Sequence, residues 1–308
     1  MGRYIIRRLI QMIPVFIGTT LLIFIMVYAL GDPVTAMFGD RRPDPATAAA
    51  IRREFNLDKP LWEQYLLYMG KIFTGDFGTA FNGQPVTELM AQSWPLTIKL
   101  AILAILLQAV VGITLGVFSG LHRGGVLDTS VLLGTLVVIA IPTFVLGYLL
   151  QYLFGVKWDV LPVTVSNDNP SLQDLLLPAV VLAAVSLAYT TRLVRTSVGE
   201  NVRADYIRTA VAKGLPKRRI TVRHLLRNSL IPVITFLGID IGNLMGGAIV
   251  TERIFNIHGV GYQLYQGILR QNAPTVVGFV TILVIIFLLA NLLVDLLYAV
   301  LDPRIRLA

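Results

Sequence analysis

Apolar residues run along this chain in long blocks, not at every second position. Six blocks approach or exceed the roughly 20 residues that cross a bilayer core, at about 9–30, 96–120, 130–153, 175–191, 230–250 and 276–301. Each predicts a transmembrane helix. The first follows the basic stretch "RYIIRR", as a signal peptide would. Its apolar run of about 20 residues exceeds the 7–15 of a signal peptide, so it reads as an anchor.

The stretch 31–94 is too long for a simple turn. In "PDPATAAAIRREF", Asp44 is placed to cap a helix that has Pro45 in its first turn. "DKPLWEQYLLYMGKIF" repeats the device with Asp58 before Pro60, and Leu61, Tyr65, Tyr68 and Ile72 follow near helical spacing. Two short helices are expected there, packed on the outer face of the membrane domain. The chain then divides into 1–94, a span with its helical insert, and 95–308, a core of five spans with a loop at 192–228.

Composition agrees. Only 14% of the 308 residues are charged, where soluble domains carry about 25%, and mean hydropathy is +0.72. Cysteine is absent, which excludes a disulfide framework and thiolate metal sites. His122, His224 and His258 fall in three different loops and form no ligand set. No G-x-x-x-x-G-K-[ST] phosphate loop occurs, and the glycines of "LHRGGVLD" are not followed by the lysine such a loop needs.

The net charge of +8 is unevenly placed. With the N-terminus inside, 16 of the 26 Lys and Arg lie on the cytoplasmic side and 9 outside. The positive-inside bias therefore predicts both termini in the cytoplasm. Ten of these charges crowd into 192–228.

That loop splits at "KGLP". Before it, "DYIRTAVAK" starts a helix at Asp205. Gly214 suits a helix end that needs positive φ, and Pro216 blocks continuation. After it, Ile220, Leu225 and Leu226 fall among Lys217, Arg218, Arg219, Arg223 and Arg227. A helix–turn–helix near the membrane surface follows. Thr209, Ala210 and Ala212 are small residues that permit close approach of another surface. Charge alone leaves three readings open: a positive-inside anchor, a nucleic-acid site, or a docking element for a cytoplasmic protein. A nucleic-acid site calls for aromatics or a recognition helix, and only Tyr206 and His224 offer anything of the kind.

"RTAVAKG" resembles the cytoplasmic loop of type I ABC importer permeases, with the signature E-A-A-x-x-x-G followed by I-x-L-P. Ala210 and Gly214 fall on its second Ala and its Gly. Arg208 and Thr209 stand in place of Glu and the first Ala, His224 in place of Ile, and Arg227 in place of Pro. Those departures match the peptide-transporter branch, "YxRTAxAKGL…RHxLRNxLIP", whose fixed letters all occur between Tyr206 and Pro232. The stretches "RRLIQMIPVFIGTTLLIFIMVYALGDP", "LDKPLWEQYLLYMGKIFTGDFGTAF", "IPTFVLGYLLQYLFGVKWDVLPV", "TERIFNIHGVGYQLYQGI" and "NLLVDLLYAVLDPRIR" are likewise similar to the B-type permease subunit of dipeptide/oligopeptide importers.

The resemblance implies an all-α integral membrane protein of the type I ABC importer permease (MetI-like) fold. It would have six spans, both termini inside, and an extracytoplasmic helical insert after the first span. It implies a bacterial inner-membrane, non-catalytic permease subunit for ATP-driven import of short peptides. The partners implied are a second homologous permease subunit, two ATPase subunits that bind ATP and Mg, an extracytoplasmic substrate-binding protein docking near 31–94 and 251–273, and membrane lipid, but no nucleic acid. The loop would be the coupling element, with Arg208, Thr209, Ala210, Lys213 and Gly214 at its centre. Permeases of this type that import glutathione, nickel or haem share these motifs. A secondary transporter or a membrane scaffold is the reading from another class.

Acids inside spans are costly and mark function by default. Asp240 and Asp295 qualify. Gly238, Gly242 and Gly246 repeat every fourth residue, a stripe suited to close helix packing, while Asp240, Asn243 and Gly247 fall near the opposite side. Asp240 and Asn243 are therefore candidates for a hydrated path, with a structural pairing of Asp240 to a neighbouring helix as the alternative. Asp295 reads as a structural partner for a cation near the cytoplasmic end of the last span. Pro14, Pro142, Pro178 and Pro232 lie in or beside spans, where proline frees carbonyls and kinks helices.

Overall fold

A computed structural model describes residues 2–29, 33–38 and 43–301. Its elements are helical: α1 (Gly2–Ala29), α2 (Pro33–Phe38), α3 (Pro45–Glu54), α4 (Leu61–Phe73), α5 (Val86–Leu107), α6 (Ile113–Leu121), α7 (Val126–Ala140), α8 (Thr143–Leu150), α9 (Leu172–Asn201), α10 (Asp205–Ala212), α11 (Lys217–Arg219), α12 (Arg227–Ser229), α13 (Ile231–Ile254), α14 (Val260–Leu269) and α15 (Ala273–Leu301). Wider π-helical turns join α5 to α6 at Gln108–Gly112, extend α8 over Gln151–Lys157, and join α11 to α12 at Ile220–Leu226.

Among the described residues, four stretches are long and apolar enough to cross a membrane: Ile5–Tyr28, Val86–Leu121, Leu172–Asn201 and Ala273–Val294. Two bent pairs raise the number to six, Val126–Ala140 with Thr143–Lys157 and Lys217–Ser229 with Ile231–Gly246. The continuous span expected over 130–153 is instead broken by 106°. The cause is local: Pro142 offers no N–H to continue α7, and it drives Ile141 into an extended conformation, φ −85° and ψ 124°. The second pair bends by only 48°, ahead of Pro232.

The residues fall into two compact units, 1–97 with 258–292, and 98–257 with 293–308. The division expected from the sequence follows chain order; these units do not.

In the first unit, Asp44 caps α3 as expected, its Oδ2 accepting from Ala46 N at 3.2 Å and Thr47 N at 3.3 Å. The same device fails at α4. Pro60 itself occupies the cap position and no side chain caps the helix, so Asp58 lies two residues too early. The expected stripe of α4 docks it. Tyr65, buried, hydrogen-bonds Thr20 Oγ1 at 2.9 Å and the Ile17 carbonyl at 3.2 Å. Tyr68 reaches Thr281 Oγ1 at 2.8 Å and the Val277 carbonyl at 3.2 Å. Burial pushes the Tyr68 phenol above its ordinary pKa, which keeps it a neutral donor. Leu61, the first member of the stripe, remains exposed.

The second unit is organised around α9. A capping box of Ser171 and Asp174 starts this helix. Gly112 of the π-helical turn and Gly116 and Gly120 of α6 share one face, and α9 packs against it. A Cβ on Gly116 would stand 2.5 Å from Val194 Cβ and 2.6 Å from the Thr191 carbonyl, so only glycine permits this approach.

Candidate functional site

The basic loop folds as its sequence demands. α10 starts at Asp205 and ends at Ala212, and Gly214 follows with φ +70°. Its amide bonds the Val211 carbonyl at 2.9 Å, and Leu215 N reaches Ala210 O at 3.3 Å. This is a helix end closed by a left-handed residue. Pro216 then caps α11 and the chain turns back.

α10 has two faces. Ile207 and Ala210 are buried in a cluster with Val194 and Val198 of α9, Ile220 and Leu225 of the returning helix, and Val233 of α13. Arg208, Thr209, Val211, Ala212, Lys213 and Gly214 are exposed. Of the loop residues singled out from sequence, Arg208, Thr209, Lys213 and Gly214 share the outer surface, while Ala210 is turned inward as part of the seat. Burying an isoleucine side chain is worth about 1.5–3 kcal/mol. The seat thus packs α10 against two long helices, α9 and α13. Tyr206 braces the entry, its hydroxyl donating to Asn201 Oδ1 at 2.6 Å. Arg208 meets Asp205 Oδ1 at 3.5 Å across solvent, an exposed pair of little energetic weight.

A second charged group, not singled out from sequence, lies in the same unit. Asp128 of α7 is 2% exposed. It accepts from Arg195 Nε at 2.5 Å and Arg195 Nη2 at 2.7 Å, from the Ser119 hydroxyl, and from Gly124 N at 2.9 Å. Three helices, α6, α7 and α9, are thereby clamped by one carboxylate. The arginine fork suits such a two-point bond. The sequence signal was present, an aspartate opening a span beside "HRGG", but its partner lies 67 residues away.

Asp240 of α13 is 3% exposed. Its Oδ1 accepts from Asn243 Nδ2 at 3.4 Å, and its Oδ2 has no partner among the described residues. Asn243 is exposed. The two are adjacent on one helix as expected, one inward and one at the surface. The glycine stripe behaves differently from expectation. A Cβ on Gly238 would meet Val294 at 2.8 Å, but Gly246 has open space around it, so the stripe is tight at one end only. The close seam is instead Gly112, Gly116 and Gly120, a small-residue repeat visible in "GITLGVFSG". Asp295 falls in the part of α15 whose side chains lie outside the described residues. Among the described residues, no group of three or more His, Asp or Glu could hold a metal ion.

Residues 112–307 match the family described as binding-protein-dependent transport system inner membrane component, and residues 1–101 match its N-terminal part. Similar curated proteins include the dipeptide transport system permease protein DppB of Escherichia coli K12, 37% identical with 99% of each chain covered. The di/tripeptide transport system permease protein DppB of Pseudomonas aeruginosa is 36% identical over 98% of each chain. The oligopeptide transport system permease protein AppB of Bacillus subtilis is 34% identical, covering 99% of this chain and all of that one. The chain belongs to this family of inner-membrane components, among the permeases of binding-protein-dependent peptide ABC transport.

Proposed function

We propose that this chain forms half of the translocation path of an ATP-driven importer of short peptides, and that α10 with Gly214 docks on a separate ATPase subunit. The observation that carries this reading is the two-faced α10. Its outer face offers Arg208, Thr209 and Lys213 to a partner, while Ile207 and Ala210 fix it to α9 and α13. A loop that served only as a positive anchor would need its charges but not that seat. The peptide cargo is supported by the names of the similar permeases, which are dipeptide, di/tripeptide and oligopeptide systems.

The reading includes an N-in, C-in orientation, a second homologous permease completing the path, two ATPase subunits that bind ATP and Mg, and a substrate-binding protein outside. The chain itself makes and breaks no covalent bond. The test is uptake of a radiolabelled dipeptide by proteoliposomes holding the full assembly. Uptake is expected only with ATP on the ATPase side and the binding protein opposite. Uptake that persists without ATP would leave a secondary transporter as the better description.

A further inference from the structure

A cavity of about 610 Å³ lies wholly within the unit of residues 1–97 and 258–292. That volume falls within the roughly 300–1,000 Å³ of small-molecule sites. Its wall is unusual in chemistry. Asn82, Gln263, Gln266, Gln271 and Asn272 bring amides, Arg270 brings a cation, and no acid lines it among the described residues. Among the described residues Arg270 has no carboxylate partner, and it is exposed.

Thr275 also lines the cavity. It is 4% exposed and its Oγ1 has no hydrogen-bond partner among the described residues. A buried hydroxyl without a partner is costly, so the site is one acceptor short. Thr275 stands in the first turn of α15, where Asn272 Oδ1 accepts from Thr275 N at 3.4 Å. The positive end of this 29-residue helix therefore borders the cavity. A lone guanidinium, an unpaired hydroxyl and a helix N-terminus all favour an anion, and the amides suit a peptide group beside it.

We propose that this cavity receives the carboxylate end of a short peptide before translocation. Arg270 pairs with the carboxylate, Thr275 donates to it, and Gln263 and Gln266 bond the last peptide group. The proposal rests on the importer reading above. The lining residues lie between α1 and the first turn of α5, or from α14 to the first turn of α15, where the charge bias places the chain on the extracytoplasmic side, from which an importer takes cargo.

The test uses the assembled transporter in lipid nanodiscs and a dipeptide carrying a diazirine, as the free acid and as the C-terminal amide. Crosslinked residues are mapped by mass spectrometry, and uptake of the free acid is measured in parallel. The free acid is expected to label 263–275 about tenfold more than the amide, the scale of one charge-assisted hydrogen bond. Arg270→Gln is expected to erase that preference and Arg270→Lys to restore most of it. Thr275→Val is expected to lower labelling severalfold. Equal labelling by acid and amide, or labelling elsewhere, overturns the proposal. If wild-type protein takes up the dipeptide yet 263–275 stays unlabelled, only the cavity assignment falls. If there is no uptake, the importer reading falls and takes this one with it.

Discussion

Asp240 is the residue whose presence costs most for the least visible return within the chain. An aspartate at the centre of a span is unfavourable by roughly 2.5–3.5 kcal/mol, and here one carboxylate oxygen is buried without a partner among the described residues. With Asn243 exposed three residues on, we propose that the pair lines the translocation path, with a structural pairing of Asp240 as the alternative. Asp240→Asn keeps size and polarity and removes the charge. Peptide uptake is expected to fall at least severalfold while the amount of folded protein in the membrane stays the same. Unchanged uptake at unchanged expression removes Asp240 from the path. The sequence pointed to this residue because a lone acid among "FLGIDIGNLMGG" needs no partner to be noticed. It did not show which glycines pack tightly, because Gly246 and Gly116 look alike until the facing helix is known.

Among elements, the same limit holds. Signals within one turn were legible: Asp44 before α3, Gly214 after α10, and the apolar Ile220 and Leu225 on the returning helix. Tertiary features were not. The clamp of Ser119, Asp128 and Arg195 joins three helices through positions far apart in sequence, and each residue alone reads as an ordinary end-of-span polar group. Even the break at Pro142 was visible as a proline, but its 106° angle was not. The clamp makes a quantitative expectation. Asp128→Asn or Arg195→Met alone leaves an uncompensated partner and is expected to cost about 2–3 kcal/mol, below the usual range for a fully buried pair because Arg195 is one-fifth exposed. The double variant is expected to cost less than the sum of the singles. Thermal unfolding of the purified assembly in lipid measures all three, and strict additivity would show that the pair does not act as a unit.

For the whole molecule, membership in the family places the chain in the inner membrane as a permease. Chain order suggested one early insert and one core, whereas residues 258–292 join the first 97 in one unit. The hydropathy pattern predicts six spans, a number the described residues reach only if each bent pair counts as one span, and the charge pattern predicts an orientation. Neither reveals that a late segment completes an early one, since that depends on contacts such as Tyr68 with Val277 and Thr281. The central claim is that α10 is gripped by an ATPase subunit in the cytoplasm. No cysteine occurs in the chain, so Thr209→Cys gives a single thiol on the exposed face of α10. The direct measurement is whether that thiol crosslinks to a co-expressed ATPase subunit, and whether ATP changes the yield. The expected result is a crosslink that rises or falls at least severalfold with ATP, which would fix both the docking role and the inward orientation of the loop. No crosslink in a folded, assembled membrane preparation would contradict it and leave the loop as a positive anchor.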